Sequence, residues 1–266
     1  PDYRGPESSK RKHNPIKHRE FTGNQSVRRR YWARSSIGWP RVRDTQPNEG
    51  HIASAQLGEL GLTVGTITQN VDGLHQAAGS RNVLELHGSL HDVLCLDCRA
   101  YESRDSVQDR LMEVNPGWTA AIQQIAPDGD VDLPREAEEG FRIVDCRLCG
   151  GVLKPDVVFF GDSVPKNRVE QAWRMLEKAT SLLVLGSPLT VFSGYRFVRE
   201  AARQGKPIVI INDGTTRGDV HAHVKFDSRI VPLFPAIVTR FRNSLSASRK
   251  EYLKEDHASF KLGGIS

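Results

Sequence analysis

The chain has 266 residues, 38% of them hydrophobic and 26% charged, with a mean hydropathy of −0.45. That length carries one large domain or two small ones with ample sequence for a core, and no apolar run approaches the roughly 20 residues that cross a bilayer. The net charge of +5 is uneven: residues 1–43 hold 12 Lys/Arg against 3 Asp/Glu, an arginine-rich segment of the kind that meets a small ligand's phosphates or solvent, so no nucleic-acid partner is expected.

The opening residues, Pro1-Asp2-Tyr3-Arg4-Gly5, include no initiator Met and no targeting character of their own. The chain therefore reads as beginning inside a longer protein, and the lack of a signal here says nothing of compartment. Three short β-branched runs follow in order: Leu62–Thr68, Ser181–Leu185 and Pro207–Ile211. Runs of this kind suit buried parallel strands. Between them, Val169, Ala172, Trp173 and Leu176 mark one apolar helix face. A second helix is predicted from Tyr195 to Arg203, ended by Gly205 and Pro207. Strands alternating with helices predict an α/β fold with a doubly wound, Rossmann-like parallel sheet.

Residues 92–151 interrupt that rhythm and hold all four cysteines, as Cys95/Cys98 and Cys146/Cys149. Each C-x-x-C turn points two thiolates at one place, and two turns complete a tetrahedral shell for one Zn²⁺. Four protein ligands leave no open position, so the expected metal is structural. Disulfides or a redox pair are the alternatives, but four cysteines in this length are sparse and none is left over. The expected division is a nucleotide-binding domain of residues 1–91 and 152–240, a zinc module of 92–151, and a polar tail of 241–266 holding at most one short helix. The acidic stretch Glu136–Glu139 reads as a solvated helix face.

Ligands of such sheets bind beyond the carboxyl ends of the strands, where polar and small residues stand: Gln69-Asn70, Gly186-Ser187 and Asn212-Asp213-Gly214. A strand–Gly–Ser turn can offer backbone N–H groups to phosphate or ribose oxygens, although many tight turns look alike. Asn212-Asp213 sits where a residue can take a ribose hydroxyl, and a turn or cap is the other reading. His87 is the candidate general base, close in sequence to Gln69, Asn70 and Asp72. Spacing alone does not choose it over His51, His75 or His91.

Taken together, TQNVDGLH (68–75), ELHG (85–88), the two C-x-x-C pairs, KPDVVFFGD (154–162), the Gly186-Ser187 turn and Asn212 resemble the sirtuins in order and spacing. The resemblance runs from Pro1 to about Pro235. Arg30-Tyr31-Trp32-Ala33-Arg34, Ile37-Gly38-Trp39-Pro40, Ala126-Pro127-Asp128-Gly129-Asp130 and Ser193-Gly194-Tyr195-Arg196-Phe197 resemble the class II mitochondrial type. The resemblance implies an NAD-dependent protein-lysine deacylase that releases nicotinamide and an O-acyl-ADP-ribose, with protein ADP-ribosyl transfer and lipoamide cleavage as sibling activities. It implies a mitochondrial matrix enzyme, monomeric, acting on acylated protein lysines, with no membrane partner. His87 would be the base that deprotonates a ribose hydroxyl. Gln69, Asn70, Val71 and Asp72 would serve the nicotinamide half. Asp2, Tyr3, Arg4, Gly186, Ser187, Pro188, Asn212, Asp213, Gly214 and Ile230 would line the rest of the cofactor. Val158, Phe159, Phe160 and Gly161 would clasp the substrate backbone as an added strand, and Tyr31 with Arg34, three apart on one helix face, would read the acyl group.

Three departures stand out. The family's Gly-Ala-Gly turn lies upstream of the segment resembling Pro1–Arg4, and this chain starts after it. Pro188 removes an N–H donor where relatives carry Ser before Leu. Ile230 stands where close relatives have a small residue or Cys. The competing expectation is a zinc-stabilised binding module impaired in catalysis through the lack of that turn.

Overall fold

A computed structural model of the chain describes residues 16–118, 124–125 and 131–262. The first half holds α1 (His18–Gly23), α2 (Gln25–Arg43), α3 (Glu49–Glu59), β1 (Thr66–Thr68), α4 (Leu74–Ala77), β2 (Val83–Glu85), β3 (Gly88–Cys95), β4 (Tyr101–Ser103) and α5 (Arg104–Val114). Then come β5 (Gln124–Ile125), β6 (Val131–Asp132), α6 (Arg135–Gly140), β7 (Leu153–Val157), α7 (Lys166–Lys178), β8 (Leu182–Leu185), α8 (Phe192–Arg203), β9 (Ile208–Asn212), β10 (Val224–Asp227) and α9 (Ile230–Leu262). The chain divides into two compact units.

The first unit takes in the described parts of Pro1–Gln46, Ile67–Leu74 and Leu84–Glu170. Its α2 starts where Asn24 accepts a hydrogen bond from Ser26 N, which satisfies one of the free amides of a helix start. Trp32, Ser36 and Trp39 recur at i, i+4, i+7 on the buried face of α2. They meet an antiparallel sheet of order β4-β3-β7 and α5. The core joins Trp32, Val93, Val107, Leu111, Phe141 and Leu153 with two cysteines, Cys95 and Cys146. Truncating a fully buried ring here, such as Phe141 (1% exposed), would cost about 3–5 kcal/mol.

Arg104, at the start of α5, is 2% exposed. Its guanidinium carbon lies 5.3 Å from the ring centroids of both Trp32 and Trp39, and Nη2 donates to the carbonyl and hydroxyl of Ser35 at 3.2 and 3.0 Å. Burial penalises its charge and lowers its pKa to about 10; the attraction of the two ring faces offsets part of that penalty.

The second unit holds Pro47–Thr66, His75–Val83 and the described residues from Gln171 onward. Its sheet is parallel, of order β10-β9-β8, with Leu182 opposite Ile208 and Val224 opposite Val209. Ile208, Ile210 and Ile211 are buried, as expected for a central strand covered on both sides. α8 buries Tyr195, Phe197, Val198 and Ala201, and α9 lays Phe234 and Val238 against Ala53 and Ile211.

The predicted runs Ser181–Leu185 and Pro207–Ile211 become β8 and β9 within a residue at each end. The run Leu62–Thr68 yields only Thr66–Thr68, because Leu62 and Val64 are exposed. The tail is longer in helix than expected, since α9 continues through Leu262. Glu136 and Glu139 are exposed on α6, as the acidic pattern suggests.

Candidate functional site

The loop after β1 is fastened carbonyl by carbonyl. Leu86 N donates to Thr68 O at 2.9 Å, and Leu90 N donates to Val71 O at 2.8 Å. His87 Nδ1 bonds Gln69 O at 3.1 Å, and His91 Nε2 bonds Asp72 O at 3.2 Å. A carbonyl only accepts, so each of those ring nitrogens carries the proton. In the neutral ring of His87 the lone pair then falls on Nε2, the form a general base needs. Asn70 N donates to Thr68 Oγ1 at 3.0 Å, and Asp72 Oδ1 accepts from Leu74 N at 3.1 Å. Asp72 is buried, 5% exposed, and its Oδ2 has no hydrogen-bond donor among the described residues. A buried carboxylate oxygen without a donor is costly unless something arrives to fill it. The structure thus brings Gln69, Asn70, Val71, Asp72 and His87 together.

The segment after β7 joins the same neighbourhood. Val158 N donates to His87 O at 2.8 Å, and Phe160 O accepts from His18 N at 3.0 Å. Phe159 packs edge-on against Phe21 at 5.3 Å and tilted against Tyr31 at 5.6 Å, while Phe160 is exposed. Lys154 organises this turn from inside. Its Nζ donates to Pro155 O at 3.3 Å and to Val157 O, sits 4.4 Å from the Phe159 ring centroid, and lies 4.0 Å from Asp162 Oδ2. Burial holds the Lys154 pKa below the usual lysine range, with Asp162 opposing that shift. Asp162 also faces His18 Nδ1 at 3.0 Å. Lys154 carries no role of its own in the sequence analysis, and His91 enters it only as an alternative to His87 as base. Only the folded backbone shows which carbonyls they meet.

In the second unit the strand-end turns are closed on themselves. Gly186 adopts φ +59°, and a Cβ there would approach Ile230 Cδ1 to 2.5 Å, so close packing by Ile230 requires the glycine. Ser187 Oγ accepts from Leu189 N at 3.2 Å, and Pro188 O accepts from Arg217 N at 3.0 Å. Asn212, 6% exposed, donates through Nδ2 to the carbonyls of Asp213 and Gly214 at 2.9 and 3.1 Å. Gly214 N donates to Asp227 Oδ1 at 2.7 Å. Gly186 and Ile230 therefore meet, and Asn212, Asp213 and Gly214 form one turn.

The four sulfurs converge. Cys95 Sγ lies 3.5 Å from Cys149 Sγ and Cys98 Sγ 3.7 Å from Cys146 Sγ. All four fall within 4.8 Å of one another, and none is in a disulfide. A tetrahedral Zn–S₄ site has sulfur–sulfur edges of roughly 3.8 Å, so the set fits zinc. Backbone amides of Leu148 and Cys149 draw the Cys146 pKa down to about 7, whereas crowding by Cys98 and the other sulfurs pushes Cys149 up to about 12. Four thiolates this close need a cation to coexist.

Tyr31 sits in an aromatic group with Phe21 at 5.5 Å, Trp32 at 5.2 Å and Phe159, and Arg34 follows it by one turn of α2. Asp2, Tyr3 and Arg4, and the 126–130 motif, lie outside the described residues.

The Sir2 family model matches residues 1–193. NAD-dependent protein deacetylase 1 of Streptomyces coelicolor is 52% identical over 239 residues, 90% of this chain and 79% of the relative. The mitochondrial NAD-dependent protein lipoamidase sirtuin-4 of Bos taurus is 46% identical over 243 residues, 90% of this chain and 77% of the relative. A solved structure of Sir2 with a p53 peptide and NAD+ matches with a TM-score of 0.70 at 27% identity, covering 90% of this chain and 86% of that one.

Proposed function

Since this chain belongs to the Sir2 family, we propose that the Gln69–Asp72 loop with His87 forms its reacting end, and that Gly186–Pro188, Asn212–Gly214 and Ile230 form its nucleotide end. The chain is an NAD-dependent protein deacylase with a Rossmann-like fold and four cysteines clustered for one zinc. The impaired binding module is not favoured, because the relatives are NAD-dependent deacetylases and lipoamidases.

The observation that carries the site reading is Asp72 Oδ2, a buried acceptor without a donor on a loop whose carbonyls at 68, 69, 71 and 72 are already taken. A carboxamide N–H of nicotinamide suits that acceptor. When bound, NAD supplies a breakable bond between nicotinamide and ribose, and a ribose that takes over the acyl group. His87 accepts a proton at Nε2 while Gln69 O holds its other nitrogen. Asn70 orients the nicotinamide side. Asp2, Tyr3 and Arg4 complete the cofactor contacts. Val158–Gly161 take the substrate backbone as an added strand, and Tyr31 with Arg34 grip an acidic or extended acyl chain. Residues 92–151 serve as the zinc module, 1–91 and 152–240 as the nucleotide-binding domain, and 241–266 as a tail without an assigned role.

The substrate is an acylated lysine of a protein, and the enzyme works as a monomer with neither nucleic acid nor membrane. Among the described residues no helix is long and apolar enough to cross a bilayer. Residence in the mitochondrial matrix rests on the sirtuin-4 relatives; bacterial deacetylases are also similar. The test uses one peptide carrying acetyl-, glutaryl- or lipoyl-lysine, with and without NAD. Turnover should require NAD, and Arg34→Met should lower the ratio of glutaryl to acetyl turnover. An unchanged ratio would remove the guanidinium from acyl recognition, and turnover without NAD would remove the mechanism.

A further inference from the structure

Four histidines were equally eligible from composition, and the structure separates them. His87 and His91 stand on the two sides of the Gly88-Ser89-Leu90 stretch, and both grip the same loop. His87 takes the carbonyl of Gln69 through Nδ1, while His91 takes the carbonyl of Asp72 through Nε2 at 3.2 Å. Between them, the backbone N–H of Leu90 holds Val71 O.

We propose that His91 is a positioning residue of the deacylation reaction: it holds Asp72 by the main chain and thereby aims the buried Asp72 carboxylate at the carboxamide of nicotinamide. This rests on the reading of Asp72 as a nicotinamide ligand. Three observations support it. The His91 ring lies directly on the turn, since a Cβ at Gly73 would come within 3.1 Å of Nε2. Gly73 itself adopts φ +70°, so the chain reverses beneath the ring. The ring is also oriented from behind: Trp39 meets it edge-on at 5.0 Å, and the Trp39 indole is anchored by Nε1 donating to Asp105 Oδ1 at 2.7 Å. Finally, the residue so held is the one with an acceptor to spare. Asp72 accepts from Leu74 N through Oδ1 and keeps Oδ2 unfilled, so a small rotation of its backbone would move the unfilled oxygen. Holding a ligand group within a fraction of an ångström is what such supporting contacts contribute.

Two substitutions separate the hydrogen bond from the packing. His91→Phe keeps a ring against Trp39 and removes the donor. His91→Gln keeps an N–H donor at similar reach. In the protein without ligands, hydrogen exchange of the amides in residues 69–76 should be faster in His91→Phe and near normal in His91→Gln. In turnover assays, His91→Phe should raise the KM for NAD and the inhibition constant of nicotinamide by about tenfold, the scale of one lost hydrogen bond. The KM for the acylated peptide should stay within about twofold, and His91→Gln should restore both NAD-side constants to within about twofold. If His91→Phe leaves exchange and both constants unchanged, or if both variants lose them equally together with thermal stability, His91 is a packing residue and the inference is wrong. Asp72→Ala distinguishes the two levels. Should it leave nicotinamide inhibition and the KM for NAD unaltered, the reading of Asp72 falls and this inference with it. Should it shift both while His91→Phe shifts neither, only the inference about His91 falls.

Discussion

The Thr68–Asp72 loop of the first unit and the strand-end turns of the second carry the same kinds of residue, yet use them in opposite ways. Around Thr68–Asp72 the backbone carbonyls of Thr68, Gln69, Val71 and Asp72 are taken by Leu86 and His87, just before β3, and by Leu90 and His91 of β3, and the Asp72 side chain is left with an unfilled oxygen. At Ser187 and Asn212 the side chains bond to their own turns, and both Asn212 Nδ2 hydrogens are spent there. A polar residue after a strand is thus an ambiguous sign. Its meaning depends on whether the local backbone consumes the side chain, and that follows from turn geometry.

Substitutions can break this contrast, and the largest effect belongs to the first region. His87→Ala should lower NAD-dependent deacylation at least about 10²-fold, the lower range for a general base, with the melting temperature nearly unchanged. Near-normal turnover would mean that the fastened loop is not the reacting end. In the second region stability should respond before chemistry. Gly186→Ala forces a Cβ into φ +59° and against Ile230, and should cost about 2 kcal/mol by thermal or denaturant unfolding. Adding Ile230→Val, which removes Cδ1, should recover the steric share and leave the conformational share. Asn212→Ala frees the Asp213 and Gly214 carbonyls and should cost about 1 kcal/mol. A KM for NAD that rises with no loss of stability would show that Asn212 serves the ligand directly, against the contrast drawn here.

The smallest effect is a control. Glu200 is a half-buried carboxylate with both oxygens taken, the reverse of Asp72: Arg203, then Gln204, lower its pKa from 4.5 to about 2. A folded pKa below the unfolded one gives stability present above 4.5 and lost as pH falls through about 2. The melting-temperature difference between wild type and Glu200→Gln should therefore be small, greatest above that range, and absent at its acid end. Solvent screening keeps it small. A difference that grows toward acid would reverse the assignment.

Parallel strands β8 and β9 were legible because short apolar runs, LLVL and IVII, bounded by Gly186 and by Pro207, leave few other choices. The apolar face of α7 was legible from its spacing, with Ala172 and Leu176 buried. Leu62 and Val64 misled because the β-branched pattern records preference and not burial. The four cysteines were legible because zinc constrains ligand spacing directly. His91 and Lys154 were not, since their partners are carbonyls, and every residue has one. Which carbonyl a side chain reaches is decided by how β3 and β7 cross their neighbours. Nineteen positions separate Asp72 from His91, and no local periodicity spans them.

The Arg104 clamp has a practical consequence for spectroscopy. Two of the chain's four tryptophans, Trp32 and Trp39, flank its guanidinium, and a third, Trp118, lies edge-on to Phe141 in the same unit. Only Trp173, packed on Phe197, belongs to the other unit. Three of the four indoles therefore stand in the unit that holds the cysteines. A melt followed at the indole band reports mainly on that unit, and Trp173→Phe would leave an optical signal belonging to it alone.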